Sequence, residues 1–266
     1  MFTVIGERIN TSREKVQQAV AERDVSYIQE DVKKQQAAGA HYIDVNSAVG
    51  SGLEMDNIKW LISIIQEAVT VPLCIDSPDP GILEMAYGMV KNPPLINSIS
   101  LETSRFEVMS SFLKGKKCGI TALCIDDTGM PKSADDIVDR AKRLVESLEG
   151  IGMRRESIYI DPLVQPVSTE SKNALVVLTA VRKITQEITG VHIVCGLSNI
   201  SFGLPKRRVI NRTFLSLMME AGLDAAIMDP LDHRLMAILK TTELLLGNDE
   251  YCVGYLKSVR AGEIFD

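Results

Sequence analysis

Eight short apolar runs, most of them rich in β-branched residues, recur along the chain, and each is followed by a turn and a longer segment of helical periodicity. Continuous apolar strands that alternate with helices are typical of a parallel sheet covered by helices. Eight such units predict an α/β fold in which the sheet closes into a (β/α)8 TIM barrel. The runs are Thr3–Ile5, Tyr42–Val45, Leu73–Ile75, Leu95–Ile96, Ile120–Ile125, Ile158–Ile160, His192–Cys195 and Ala225–Met228.

The segments between the runs carry helix signals of their own. Asp79 before Pro80 predicts a helix N-terminus, and Ser133 with Asp136 resembles a capping box. No linker interrupts the pattern, and 266 residues suffice for one large core, so we expect a single domain over residues 1–266. A doubly wound open sheet is the alternative, but its G-x-G-x-x-G signature is missing after the first strand. One predicted apolar helix face consists of Leu175, Leu178, Val181 and Ile184.

Composition restricts the classes of function. The net charge is −6 and only 5% of the residues are aromatic, which argues against a nucleic-acid-binding protein. The five cysteines contain no C-x-x-C pair, and His41, His192 and His233 are scattered, so we expect neither a disulfide framework nor a bound metal. No apolar run is long enough to span a membrane and no targeting segment is recognisable, so a cytoplasmic protein is expected.

Polar side chains follow the strands at their C-terminal ends, which gather at one mouth of a parallel barrel. Asp76, Asn97 and Asp161 come directly after apolar runs. A buried carboxylate costs several kcal/mol unless it receives strong hydrogen bonds, so these positions suit a planar ligand rich in N–H donors.

Turn closure or helix capping is the alternative explanation for any one of these residues. It is most persuasive for Asp79, for Asp127 in the turn-like Asp-Asp-Thr-Gly, and for Asp229 before Pro230. No serine lies in a G-x-S-x-G elbow, and no strand ends in a lysine placed for Schiff-base chemistry, so hydrolase and aldolase activities are disfavoured.

A set of strand-end motifs, in order from the first strand to the eighth, resembles the pterin-binding methyltransferases. Within that group the chain is most similar to the methyltetrahydrofolate:corrinoid protein methyltransferases. The motifs are Ile5-Gly-Glu-Arg-Ile-Asn10, Asp44-Val-Asn46, Cys74-Ile-Asp-Ser77, Ile96-Asn-Ser98, Thr128-Gly-Met-Pro-Lys132, Tyr159-Ile-Asp-Pro-Leu163, Gly196-Leu-Ser-Asn199 and Ile210-Asn-Arg-Thr-Phe-Leu215.

The resemblance implies a barrel that binds methyltetrahydrofolate in its mouth and moves a methyl group between the pterin N5 nitrogen and the cobalt of a corrinoid such as cobalamin, a reaction of one-carbon metabolism. It implies that Asp76, Asn97 and Asp161 bind the pterin, and that Gly196, Ser198 and Asn199 line the substrate site. Asn199 and Asp161 are the expected catalytic residues, and Asn199 is expected to stabilise the protonated form of N5.

Further candidates at the mouth are implied by the same likeness. The chain departs from close relatives at Asp126, where asparagine is expected, and at Phe202, where a polar residue occurs. Lys206, Arg207 and Arg208 form a basic cluster that could meet the glutamate tail of folate or the corrinoid partner, or remain solvated surface. The additional candidates are Glu7, Asn10, Asp44, Asn46, Asp126, Phe202 and Arg207.

The chain contains no Asp-x-His-x-x-Gly segment of a cobalamin-binding module. The resemblance therefore implies that a separate corrinoid protein is the partner, and that the enzyme is a homodimer. The direction of methyl transfer stays open. Two alternatives also stay open: an enzyme like dihydropteroate synthase, although cations for a diphosphate are not evident at strands 7 and 8, and a non-catalytic folate-binding subunit.

Overall fold

The computed structural model describes residues 2–48 and 53–264. These residues form eight parallel strands that close into a barrel in chain order, so the predicted fold class is confirmed. The strands are β1 (Thr3–Asn10), β2 (Tyr42–Asn46), β3 (Leu73–Asp76), β4 (Leu95–Leu101), β5 (Gly119–Asp126), β6 (Ile158–Asp161), β7 (His192–Gly196) and β8 (Ala225–Met228).

Ten α-helices lie in the described part of the chain, mostly on the outside of the barrel between successive strands. The predicted caps are confirmed: Asp79 accepts a hydrogen bond from the backbone of Gly81 (2.8 Å), and Ser133 accepts one from Asp136 (3.1 Å). The helices are α1 (Glu14–Glu22), α2 (Val25–Ala37), α3 (Glu54–Ala68), α4 (Pro80–Tyr87), α5 (Thr103–Leu113), α6 (Ala134–Gly150), α7 (Asn173–Glu187), α8 (Arg207–Ala221), α9 (His233–Leu245) and α10 (Val253–Arg260).

Two details of the sequence interpretation are wrong. Strands β1 and β4 continue well past the apolar runs at Ile5 and Ile96, because backbone pairing with the neighbouring strand does not depend on side-chain polarity. Leu175, predicted on the buried face of α7, is 65% exposed. Leu178 and Val181 of the same stripe are buried as expected.

The apolar core has two layers. A large cluster fills the space between the strands and the helices, and a smaller one fills the inside of the barrel. The inner cluster fills the lower part of the barrel interior. Polar side chains that point inward nearer the C-terminal strand ends form a separate layer above it. The inner cluster consists of Ile5, Cys74, Leu95, Tyr159, Val194, Ala225 and Ile227, with Tyr42 packed against it.

Two of the histidines, His41 and His192, have structural partners away from the mouth. His192 stacks on Tyr159, with 4.6 Å between ring centroids, and pairs with Asp224 at the lower end of the barrel. His41 Nδ1 accepts a hydrogen bond from the backbone of Val4. Across residues 2–48 and 53–264, no helix combines the length and apolar character that crossing a membrane requires.

Candidate active site

Strand register brings the three predicted pterin ligands to one end of the barrel interior. Asp76 of β3 is paired in register with Asn46 of β2 and with Asn97 of β4. Because side chains alternate along a strand, Asp76 points to the same side as Cys74, which belongs to the inner cluster. Asp161 likewise comes two residues after Tyr159 on β6, and Tyr159 belongs to the inner cluster, so Asp161 also points into the barrel. The strand register therefore brings these side chains to the same end of the barrel; that they bind a pterin stays a prediction.

Asp76 is fixed by its neighbours. Asn46 donates a hydrogen bond from Nδ2 to Asp76 Oδ2 (2.8 Å), and the other end of the Asn46 amide accepts from the backbone of Ala48. Burial raises the pKa of Asp76, while this hydrogen bond and the charge of Arg105 oppose the rise. Asn46 thus orients a carboxylate in addition to lining the mouth itself.

Asp161 has a single hydrogen-bond partner within the described chain. Its Oδ1 accepts a hydrogen bond from the backbone of Leu163 (2.8 Å), and burial raises its pKa to about 6. At neutral pH the group is therefore mainly ionised and ready to accept hydrogen bonds from a donor-rich ligand.

Asn199 lies in a short 3-10 helix, Leu197–Ser201, that follows β7. Its amide folds back over the end of the strand, so that a Cβ atom added at Gly196 would lie 3.1 Å from Asn199 Nδ2. Because Gly196 has no side chain, the amide of Asn199 can lie in this space. Arg207 holds this turn in place by donating to the Ser198 carbonyl (2.7 Å) and to Ser201 Oγ (3.1 Å).

Glu7 and Asp44 carry two further desolvated carboxyl groups. Burial raises the pKa of Glu7 to about 7, and the charge of Asp76 adds to the rise. Asp44 is only 1% exposed, and its pKa is raised well above the ordinary value, first by burial and then by the charges of Asp76 and Glu7. The Cys74 thiol is its neighbour, but neither carboxyl oxygen has a partner that meets the geometry of a good hydrogen bond.

A cavity of about 370 Å³ opens at the mouth between β1, β7 and β8. Glu7, Asn10, Ser198 and Arg207 line it, and Asn10 Oδ1 also accepts from the backbone of Ser12. Phe202 stands beside it on the rim, 64% exposed, with the Arg207 guanidinium 5.9 Å from the centre of its ring.

Other strand-end carboxylates are occupied within the protein. Asp126 accepts from Thr128 and pairs with Arg140 and Arg143, and these contacts lower its pKa. Asp127 accepts from the backbone and hydroxyl of Thr103. Since its acceptors are already used, Asp126 has less to offer a ligand than its position in the sequence indicates.

Asp229 is paired as well, accepting from Arg8 (2.8 Å) and from the backbone of Leu231. The turn-closing alternative therefore describes Asp229 well, as it does Asp79. It is wrong for Asp127, which bonds Thr103 at the start of α5, because Asp126 closes that turn by accepting from the backbone of Thr128.

Sequence reasoning missed two groups. Arg105 of α5 donates to the carbonyls of Pro78 and Ser98 and so ties together the loop after β3 and β4. Thr121 of β5 is fully buried, in register with Asn97, and its hydroxyl has no partner. The position of Thr121 inside a predicted strand was the available signal for the second; Arg105 gave none. Among the described residues, no cluster of His, Cys, Asp and Glu has an arrangement that could hold a metal ion.

Comparison with known proteins gives the site a context. The profile of the family "Pterin binding enzyme" matches residues 6–229. The chain is 37% identical to methylcorrinoid:tetrahydrofolate methyltransferase of Eubacterium limosum, over 98% of this chain and 97% of that protein. It is also 30% identical to methionine synthase of Mycobacterium tuberculosis, over 84% of this chain but 20% of the larger protein.

Solved structures agree with the fold. Dihydropteroate synthase of Coxiella burnetii, in complex with pteroic acid, superposes with a TM-score of 0.69 at 12% identity, covering 91% of this chain and 94% of that one. The enzyme of Stenotrophomonas maltophilia gives 0.68 at 14% identity, covering 94% of each chain. At these identities the likeness concerns the barrel and not the reaction.

Proposed function

The chain belongs to the pterin-binding enzymes and, within them, to the methyltransferases that act between tetrahydrofolate and a corrinoid, and on that premise we propose that it moves a methyl group between the pterin N5 and the cobalt of a corrinoid carried by a separate protein. The observation that carries the proposal is the amide of Asn199, folded over Gly196 above a mouth that also holds Asp76, Asn97 and Asp161.

The side chains of Asp76, Asn97 and Asp161 match the pyrimidine edge of a pterin. That edge presents a ring N–H and an exocyclic amino group beside a carbonyl. Asp76 and Asp161 can accept hydrogen bonds from the donors, while the Asn97 amide can both donate and accept. A site built in this way discriminates against molecules that lack the edge, because its own polar groups would then be left unpaired.

Unpaired buried groups below the mouth support a polar ligand at this place. The hydroxyl of Thr121 and the carboxyl of Asp44 have no good hydrogen-bond partner, although each lies in register with a residue that faces the barrel interior. Unpaired buried polar groups are rare in proteins and require an explanation. A bound pterin, directly or with ordered water, would supply the missing partners.

The chemical step explains the need for Asn199. When the methyl group leaves N5, the electrons of the N5–CH3 bond stay on the nitrogen, and an amine anion is a very poor leaving group. N5 must therefore carry a proton as the bond breaks. The carbonyl oxygen of the Asn199 side chain can accept a hydrogen bond from the protonated N5, and an interaction that strengthens in the transition state raises the rate.

The rim residues have a place in the proposal. The guanidinium of Arg207 braces the turn that carries Asn199, and Lys206 and Arg208 are exposed beside it, suited to the anionic tail of folate. Phe202 offers an apolar surface on the side from which a corrinoid protein would approach.

Two further parts of the proposal concern the state of the enzyme. We propose a homodimer in the cytoplasm, with the whole chain acting as one pterin-binding barrel domain. Light scattering of the purified protein together with fractionation of native cells tests both parts; a monomer, or recovery outside the cytoplasm, contradicts them.

A spectroscopic assay tests the reaction. The purified protein is mixed with methyltetrahydrofolate and reduced cob(I)alamin, and in the reverse sense with tetrahydrofolate and methylcobalamin, while the corrinoid spectrum is recorded. We expect methyl transfer in both directions. Tight folate binding without transfer would instead favour the non-catalytic folate-binding subunit.

Asn199→Ala tests the assigned role. We expect it to slow methyl transfer by roughly 100-fold, as loss of a single transition-state hydrogen bond does in other enzymes, while the dissociation constant of the folate changes by less than about threefold. The matched control is Asn92→Ala, whose exposed amide bonds the Thr70 carbonyl outside the barrel mouth. Equal losses of rate and affinity in Asn199→Ala would contradict the role.

A further inference from the structure

Three carboxyl groups from neighbouring strands converge at the proposed pterin site. Glu7 lies on β1, Asp44 on β2 and Asp76 on β3. Asp44 is in register with Cys74, two residues before Asp76, and both lie on the interior face. Burial raises the pKa of all three groups; the charge of Asp76 adds to the rise at Glu7 and Asp44, and the charge of Glu54 adds to it at Asp76. Carboxylates this close in a desolvated place cannot all be ionised.

Asp44 is the deepest of the three. It is 1% exposed, and neither of its oxygens has a good hydrogen-bond partner in the protein. An ionised carboxylate in such surroundings costs far more than a neutral one. No cluster among the described residues has metal-ligating geometry, so a bound cation is not the built-in source of neutrality. A proton on Asp44 satisfies the burial and gives the group a hydrogen to donate.

Glu7 is the member that faces the reacting end of the site. It lines the cavity together with Ser198, the residue before Asn199. Only β8 separates β1 from β7, and Ile227 of β8 is in register with both Ile5 and Gly196. Glu7 is two residues beyond Ile5 on the interior face, and Asn199 lies over Gly196. A pterin ring that presents N5 to Asn199 therefore has Glu7 nearby, because the strands that carry Glu7 and Asn199 are separated only by β8.

We propose that Glu7 exchanges the N5 proton with the bound pterin, directly or through one water molecule, and that a permanently protonated Asp44 is a positioning residue beneath it. This inference rests on the proposed methyl transfer and names the proton source that the reaction needs.

The proton balance is simple in both directions. In demethylation, Glu7 in its acid form gives its proton to N5, cobalt(I) attacks the methyl carbon, and the N5–CH3 bonding electrons return to nitrogen, leaving N5–H and an ionised Glu7. In the reverse sense, the N5 lone pair attacks the methyl group, both electrons of the cobalt–carbon bond stay on cobalt, and ionised Glu7 removes the proton from N5.

The charges around Glu7 suit this task. Asp76, Asp229 and burial favour the protonated form, whereas Arg13 and Arg207 favour the ionised form. These influences leave the pKa of Glu7 at about 7, where both forms are populated and general acid–base catalysis is most effective. A neutral Asp44 does not oppose the ionisation of Glu7.

Opposite pH profiles are the expected signature. Demethylation needs protonated Glu7, so its kcat/KM should fall as pH rises through about 7; methylation of tetrahydrofolate needs ionised Glu7, so its kcat/KM should rise over the same range. We expect Glu7→Gln to reduce kcat by about 100-fold or more and to remove both inflections, with folate affinity within about threefold. Glu7→Asp should recover part of the rate and retain an inflection.

The control is Glu14→Gln, an exposed side chain in the helix that follows β1, which should behave as wild type. A wild type without transfer activity defeats the proposed function itself. An active wild type whose inflections survive in Glu7→Gln overturns only the role of Glu7.

Asp44 is tested by replacement with its neutral isostere. Asp44→Asn should fold and retain the kcat/KM inflections within a few tenths of a pH unit, because a neutral group replaces a neutral group. At a pH well above 7, where Glu7 is ionised, difference infrared spectra should lose a protonated-carboxyl C=O band in this variant. A large downward shift of the inflections, or no lost band, would show that Asp44 is ionised and overturn its part.

Discussion

Two sets of carboxylates lie at the same ends of the same strands, yet their surroundings are opposite. Asp126, Asp127 and Asp229 have arginine, hydroxyl or backbone partners. Glu7 and Asp161 have few partners and pKa values raised by burial. The difference indicates that the first set stabilises the fold, whereas the second is held ready for a ligand at a cost to the free protein.

The largest expected effect comes from breaking the paired set. Arg140 is 3% exposed and donates hydrogen bonds to Asp136, Thr128 and the Gly129 carbonyl, beside Asp126. Arg140→Met should lower the free energy of unfolding by about 3–5 kcal/mol, because it leaves buried acceptors unpaired. Chemical denaturation measures the loss.

The matched control is Arg143→Met, which also removes a partner of Asp126 but from a side chain 50% exposed, and it should cost less than about 1 kcal/mol. A similar small loss in Arg140→Met would show that the buried network contributes little to stability.

An intermediate effect is expected from the unpaired set. Asp161→Asn replaces a carboxylate oxygen, which accepts a hydrogen bond, by an amide NH2 group, which cannot accept one from the N–H groups of the pterin. We expect tetrahydrofolate to bind roughly 100-fold more weakly, about 2.7 kcal/mol, with the fold intact. Calorimetric titration under anaerobic conditions measures the affinity. Asp127→Asn, at an equivalent strand end but bonded to Thr103, should leave the affinity unchanged; equal weakening would remove the distinction between the two sets.

The smallest effect concerns pH. Glu7 and Asp161 have folded-state pKa values of about 7 and about 6, above their ordinary values. Their protonated forms therefore favour the folded state, and this contribution to the free energy of unfolding is fully present below about pH 4 and is lost as pH rises to 7. The pKa of Asp126 is lowered, so its contribution is present above its ordinary value and lost on acidification.

A pair of variants separates these opposite trends. Between pH 4.5 and 8, the stability of Glu7→Gln relative to wild type should increase by on the order of 2 kcal/mol. Asp126→Asn should become less stable relative to wild type from pH 3 to pH 5. Trends of the same sign, measured by urea denaturation, would contradict the division into two sets.

The meeting of strand-end residues at one mouth was predictable because the strands of the barrel run parallel; that these residues bind a ligand stays a prediction. Once eight parallel strands close into a barrel, polar residues that follow apolar runs must meet at one mouth, which places Asp76, Asn97 and Asp161 together. Arg105 and Thr121 were not predictable, since one reaches the site from a helix and the other is an ordinary threonine within a strand.

The sequence alone determined the barrel, its single polar mouth and the likeness to pterin-binding methyltransferases, because periodicity, strand number and ordered motifs are properties of the chain. Only the tertiary structure decided which of the strand-end acids are paired and which are desolvated. Asp126 and Asp161 both end apolar strands, but arginines of α6 reach the first and none pairs with the second within the described chain. Solvation and long-range partners, which no local pattern encodes, set that difference.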